Sequence, residues 1–205
     1  AAEEEPDVVF AIAPNLSNTG AAVPMKFFHA LSSIVFEVGS VPANFVVEKV
    51  EFKNLYSSGN CTYTSNMVDE VTFNWTPAFE KKSFLQTFNK KMSDADGVVA
   101  DVNIDSAVQT FMMVPQSVED DAQLEITVSI EHTNPDASTY RNEYKFTKSL
   151  YDICATFEAG KKYTFRISSP EEVDVEVEDQ LSGDGSVKSD VEISNTGISV
   201  TYIRV

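Results

Sequence analysis

Strict alternation along Leu124-Glu125-Ile126-Thr127-Val128-Ser129-Ile130-Glu131 constrains this chain more than any other feature of its sequence. Successive side chains of an extended strand point to opposite faces, so the pattern is that of a β-strand with one apolar and one wet face. The same period runs through Val71, Phe73 and Trp75 against Thr72 and Asn74, and through Tyr163, Phe165 and Ile167 against Thr164 and Arg166. It recurs in Val173, Val175 and Val177 against Asp174, Glu176 and Glu178. Shorter strands are expected at residues 8–12, 34–38, 50–52, 98–104, 111–114, 140–146, 191–193 and 198–203. Turn-forming runs such as Ser57-Ser58-Gly59-Asn60, Asn134-Pro135-Asp136 and Asn195-Thr196-Gly197 separate them. Helix is confined to a turn or two at residues 27–33 and 149–158, the second stopped by Gly160. Parallel α/β folds need repeated crossover helices, which this spacing does not supply, so the expected class is an all-β sandwich.

The chain has 205 residues, 42% of them hydrophobic, which is enough apolar material for a folded core. No apolar run approaches the roughly 20 residues that cross a bilayer as a helix. A formal net charge of −17 repels phosphate backbones, so nucleic acid is not an expected partner. The start Ala1-Ala2-Glu3 has neither a basic nor an apolar signal region, and any export signal is expected to have been removed. Three parts are expected: an acidic lead at residues 1–20, a main body at 21–178 and a final piece at 179–205. The break is the run Leu181-Ser182-Gly183-Asp184-Gly185-Ser186. Two strands follow it, and Ile198, Val200 and Tyr202 form one alternating row that reads as strand to the last residue.

Catalysis is not expected. Nucleophilic mechanisms need a base within reach of the nucleophile, and the two histidines, His29 and His132, stand in no such signature. His29, among Phe27, Phe28 and Leu31, reads as a packing histidine, and His132 as a loop residue. Asp94-Ala95-Asp96-Gly97 with Asp101, Asn103 and Asp105 is rich in oxygen ligands, but its glycine directly follows the second ligand, not the third as in an EF-hand. A solvated turn is expected there, with no metal and no cofactor. Cys61 and Cys154 have no metal or redox spacing; either they form a bridge closing a long loop, worth about 3–5 kcal/mol on the chain-entropy model, or they are free thiols. Asn15, Asn60 and Asn74 head N-glycosylation sequons. Trp75 with Tyr56, Tyr63, Tyr140 and Tyr151 could stack on a sugar, although aromatics on alternating strands more commonly fill cores and cross-strand pairs.

Three longer stretches carry a pattern of their own. Pro24-Met25-Lys26-Phe27-Phe28-His29-Ala30-Leu31-Ser32-Ser33-Ile34-Val35-Phe36-Glu37-Val38 is an apolar lead-in, a His-Ala-Leu-Ser core and an outgoing strand. Val50-Glu51-Phe52-Lys53-Asn54-Leu55, then Ser58-Gly59, is a strand and turn. Met113-Val114-Pro115-Gln116 and the strand at 124–130 precede Phe157-Glu158-Ala159-Gly160-Lys161-Lys162-Tyr163-Thr164-Phe165-Arg166-Ile167. In this order and spacing, across roughly residues 24–177, they resemble the fimbrillin family of type V pilus and fimbria-like proteins of anaerobic Gram-negative bacteria.

That resemblance implies a Greek-key, transthyretin-like β-sandwich with a short C-terminal strand pair. It also implies export as a lipoprotein, attachment to the outer membrane through a lipid anchor on the precursor, and display at the cell surface. The implied partners are other pilus subunits, joined by strand addition, and a host or microbial surface ligand or glycan. Strand addition satisfies the unpaired N–H and C=O groups of a sheet edge, and the row Ile198, Val200, Tyr202 is the candidate donor. The family's shaft subunits are cut after a basic residue beyond an N-terminal strand, yet no Lys or Arg precedes Lys26 here. An accessory, tip or anchor subunit is therefore expected in place of a cleaved shaft. The alternative is a monomeric outer-surface glycan-binding lipoprotein module.

Overall fold

The computed structural model describes residues 7–12, 23–38, 41–42, 45–66, 70–78, 80–91, 98–99, 102–103, 111–169, 172–180, 184–187 and 203–204. Strands β1 (Val9–Ile12), β2 (Val23–His29), β3 (Ser32–Val38), β4 (Val41–Pro42) and β5 (Phe45–Tyr56) come first. They are followed by β6 (Ser58–Ser65), β7 (Val71–Pro77), β8 (Lys81–Lys91), β9 (Val98–Val99) and β10 (Val102–Asn103). Next come β11 (Phe111–Met113), β12 (Gln116–Ser117), β13 (Gln123–Thr133), β14 (Thr139–Ser149) and the short helix α1 (Leu150–Ile153). The remainder are β15 (Thr156–Phe157), β16 (Lys161–Ser169), β17 (Glu172–Asp179), β18 (Asp184–Val187) and β19 (Ile203–Arg204).

Two sheets make the main sandwich. One has the order β10-β3-β16-β17, with β11 also on β3, and the other β14-β13-β5-β8. Among the described residues all strand pairs are antiparallel except β3 with β16, which run parallel from Ser33 opposite Lys162 to Val38 opposite Ile167. A cluster of rings joins the sheets. Phe36 of β3, Phe165 of β16 and Phe52 of β5 lie 5.4–5.6 Å apart between centroids, with Phe111 and Phe157 packed around them. Phe52, Phe111 and Phe165 are fully buried. Leu124, Ile126 and Val128, the apolar half of the alternating strand, complete this core. Burial of these rings and aliphatic side chains is the main stabilising term, at about 25 cal/mol per Å² of apolar surface.

Beside it lies a smaller pair of sheets, β1-β2-β18 and β19-β6-β7. The chain crosses from the small pair to the large one at Ala30-Leu31, between β2 and β3, and from the large to the small at Ser57, between β5 and β6. Alternation orients the β6–β7 hairpin: Val71, Phe73 and Trp75 are half-buried while Thr72, Asn74 and Thr76 are exposed. The inner row meets β1, where Phe10 sits 4.1 Å from the Tyr63 ring and 6.1 Å from Phe73.

Four expectations need correction. Residues 27–33 hold no helical turn; they end one strand and start the next, because Ala30 and Leu31 are clamped between backbones. Ser57-Ser58-Gly59-Asn60 is no hairpin turn, since β5 and β6 belong to different sheets and only Ser57 separates them. The local twist is instead taken up upstream at Asn54, with φ 61°, where the β5–β8 register shifts. Asp184, Gly185 and Ser186 of the expected break belong to β18 and pair with Lys26, Met25 and Pro24 of β2. Finally, the polar face of β13 is not wet. Glu125, Thr127 and Ser129 are all buried, because β13 is a central strand and long side chains of β5 and β14 fold over it.

Candidate assembly surfaces

The His-Ala-Leu-Ser stretch is the hub between the two sheet pairs. The Ala30 N–H donates to Val8 O at 2.8 Å, and the Ala30 carbonyl accepts from the Trp75 indole N–H at 2.8 Å. The Leu31 carbonyl accepts from Gly160 N–H at 3.0 Å and from Gln180 Nε2 at 3.3 Å. Ser32 Oγ donates to Glu158 O at 2.8 Å. Gly160 has φ +70°, a conformation glycine adopts without steric cost, and a Cβ there would lie 3.4 Å from His29 O. His29 itself holds Asp7, Nδ1 to Oδ2 at 2.5 Å. Four segments distant in sequence thus converge on four consecutive residues, and the Ala30 N–H and the Ala30 and Leu31 carbonyls all find partners.

This hub seats β1. Val9, Phe10, Ala11 and Ile12 pair antiparallel with His29, Phe28, Phe27 and Lys26, and β18 takes the other side of β2. Among the described residues, β1 is held by its pairing with β2, the Phe10 ring contacts and the Asp7–His29 pair. At the far end of the chain, Ile203 and Arg204 pair antiparallel with Gly59 and Ser58 of β6. Ile198, Val200 and Tyr202, the candidate donor row, lie outside the described residues, as do residues 191–193.

The other edges differ in chemistry. β17 carries Asp174, Glu176, Glu178 and Asp179, all exposed; Lys162 pairs with Glu178 at 3.4 Å and Lys161 with Asp179 at 2.5 Å. β14 is exposed along most of its length, with Tyr140 and Tyr144 standing out, and it pairs with β13 over its full length without a register shift. The Tyr140 ring stacks on His132 at 5.0 Å.

Two charge clusters bear on these edges. Glu125, buried on the outer face of β13, lies 2.7 Å from both Lys145 of β14 and Lys53 of β5, and these bonds hold its carboxyl below the usual carboxylate range. Lys81 lies 2.7 Å from both Asp121 and Glu119 and 5.4 Å from the Tyr56 ring centroid. The Tyr56 hydroxyl donates to Glu119 at 2.8 Å, which raises the phenol, while Lys81 pulls the Glu119 carboxyl down. Burial pushes the Tyr163 phenol up to about 12.

Of the residues singled out from sequence, Cys61 on β6 and Cys154 after α1 are both free thiols, so no bridge joins them, and burial raises both. Asn60 and Asn74 are exposed on β6 and β7, while Asn15 and the Asp94–Asp105 loop's side chains lie outside the described residues. Tyr63, Tyr140 and Tyr151 are exposed but stand on β6, β14 and α1 respectively, and Trp75 is half-buried. Among the described residues, no group of three His, Cys, Asp or Glu side chains is arranged to hold a metal. Asp7, Gln180 and the bidentate Gln116, which bonds both backbone groups of Tyr56, are the structural residues that sequence reasoning missed. The Met-Val-Pro-Gln run was the signal for the last of these.

A family model described as fimbrillin-like matches residues 1–193. Solved structures are matched as well, two of them as follows. One is a candidate cell adhesion protein from Bacteroides uniformis, 16% identical, with a TM-score of 0.42, covering 84% of this chain and 66% of that one. The other is a fimbrial protein from Bacteroides vulgatus, 12% identical, with a TM-score of 0.46, covering 87% and 72%. The chain thus spans about two thirds of the length of the first of these. No curated protein matches it.

Proposed function

The chain belongs to the fimbrillin-like family, and on that footing we propose that it is an accessory, tip or anchor subunit of a surface pilus or fimbria, acting in assembly and adhesion and not in catalysis. The observation that carries the reading is the seat of β1. A four-residue strand, paired among the described residues on one side only, completes a small sheet next to the hub, and any strand of similar alternation could take its place. Retention of β1 is supported by the ring contacts of Phe10 and by the lack of any Lys or Arg from Ala1 to Met25. A subunit whose seat stays filled can donate a strand but not accept one, which suits an end position in a filament.

The proposed donor is the row Ile198, Val200 and Tyr202. Only two residue pairs, Ile203–Gly59 and Arg204–Ser58, tie the described part of this tail to β6, so releasing that contact costs on the order of 1–3 kcal/mol. Display at the cell surface, with outer-membrane attachment through a lipid anchor on the precursor, belongs to the same proposal. The experiment is deletion of residues 198–205 in a producing cell. Loss of the chain from surface fibres, with its cellular level maintained, is the expected result; unchanged incorporation would sink the donor role.

A further inference from the structure

We propose that β14 is a self-complementary edge through which two copies of this chain pair about a two-fold axis, joining two four-stranded sheets into one of eight strands. This goes beyond the strand addition proposed above, which uses the β1 seat of another sheet and the C-terminal row as its donor. The edges available to a second copy are not equivalent. β17 presents Asp174, Glu176, Glu178 and Asp179, and a two-fold antiparallel self-pairing of that strand sets acid against acid. β8 pairs with β5 through two register shifts, so its outer edge is irregular. β14 instead pairs with β13 over eleven residues, Thr139 to Ser149, in one unbroken register. Its other side is a regular row of backbone donors and acceptors, and among the described residues no strand lies beyond it in the sheet order.

The side chains say what fits there. Arg141, Glu143 and Lys145 lie opposite Glu131, Ser129 and Thr127, and so share the outer face, with signs alternating plus, minus, plus. Tyr140, Tyr144 and Phe146 lie opposite His132, Val128 and Ile126, on the inner face, where Tyr140 and Tyr144 remain 48% and 42% exposed. Tyr144 is the midpoint of the strand. A two-fold axis through it therefore overlaps the whole length, placing Glu143 opposite Lys145 of the second copy, twice, and Tyr144 opposite its own equivalent. Directly opposed charges of unlike sign stabilise an antiparallel pair and like charges oppose it. Lys145 already bonds Glu125, but its side chain is 51% exposed and its ammonium has three donors, enough to reach a second carboxylate.

Sedimentation of the full chain over a concentration series tests this. A dimer is expected for the natural sequence. Glu143→Lys and Lys145→Glu each set like charges opposite one another in a homodimer, and each should weaken dimerisation about tenfold or more. An equimolar mixture of the two variants pairs one positive strand with one negative strand and should restore the dimer. In a Cys61→Ser, Cys154→Ala background, Tyr144→Cys puts two thiols on the axis, within disulfide reach, and should cross-link on mild oxidation, whereas Tyr140→Cys should not. The Glu143→Lys and Tyr144→Cys arms leave the Glu125 cluster intact, so they stand even if Lys145→Glu fails to fold. A natural chain that is monomeric at every concentration, or a dimer indifferent to Glu143→Lys, or cross-linking equal at positions 140 and 144, would overturn the proposal.

Discussion

Glu125 shows how a residue can be read correctly in sequence and still mislead. Its place in a polar row is obvious from alternation, but its burial is not, because Lys53 and Lys145 reach it from strands 72 residues upstream and 20 residues downstream in pairing partners that the local pattern does not encode. The consequence is testable by pH. The two ammonium groups hold the folded-state carboxyl below its usual 4.5, so its contribution is complete above that value and is lost as pH falls through the depressed one. Thermal unfolding between about pH 5 and 3 should therefore be steeper for the natural chain than for Glu125→Gln. At neutral pH the variant should be less stable by about 1–2 kcal/mol. Gly160 is the second residue to test. Its positive φ makes Gly160→Ala cost about 1 kcal/mol, measured by denaturant titration, and the loss should report on the hub because Gly160 N–H binds Leu31 O. The inner residues Leu124, Ile126 and Val128 were legible outright, since a period of two leaves no freedom about which set faces the apolar core.

At the scale of elements, long alternating strands were readable and their partners were not. β13, β16 and β17 follow from their own residues, whereas the parallel joining of β3 to β16 depends on backbones about 129 residues apart. The hub was misread as a helical turn at residues 27–33 because its short apolar run carries no period of its own, and strand and helix cannot be separated in so few residues. What decides it is non-local: Val8, Trp75, Gly160 and Gln180 all bond to Ala30 or Leu31. The seat of β1 makes a prediction at this scale. Phe10→Ala removes the contacts with Tyr63 and Phe73, worth about 1–2 kcal/mol for a half-buried ring. Amide hydrogen exchange along β1 should quicken about tenfold while the core strands β13 and β16 stay protected. Equal quickening everywhere would mean that β1 is not a separately released element.

The described residues form a ring-filled sandwich with a smaller sheet pair joined to it at the Ala30-Leu31 hub and at Ser57, and the acidic charge favours solubility without naming a ligand. Three ordered stretches of sequence resembled the fimbrillin family, and the hub explains two of them physically: His-Ala-Leu-Ser and Ala-Gly-Lys are the two backbones that meet at Leu31 and Gly160. The claim at the centre of this account is that the β1 seat is an exchangeable strand site whose resident strand keeps it closed. A protease site placed between β1 and β2, cut after folding, leaves β1 held only by its non-covalent contacts. A labelled peptide of residues 198–205 should then be captured by the cut protein and ignored by the uncut one, as read by fluorescence anisotropy. Equal capture by both forms, or capture by neither, would contradict it.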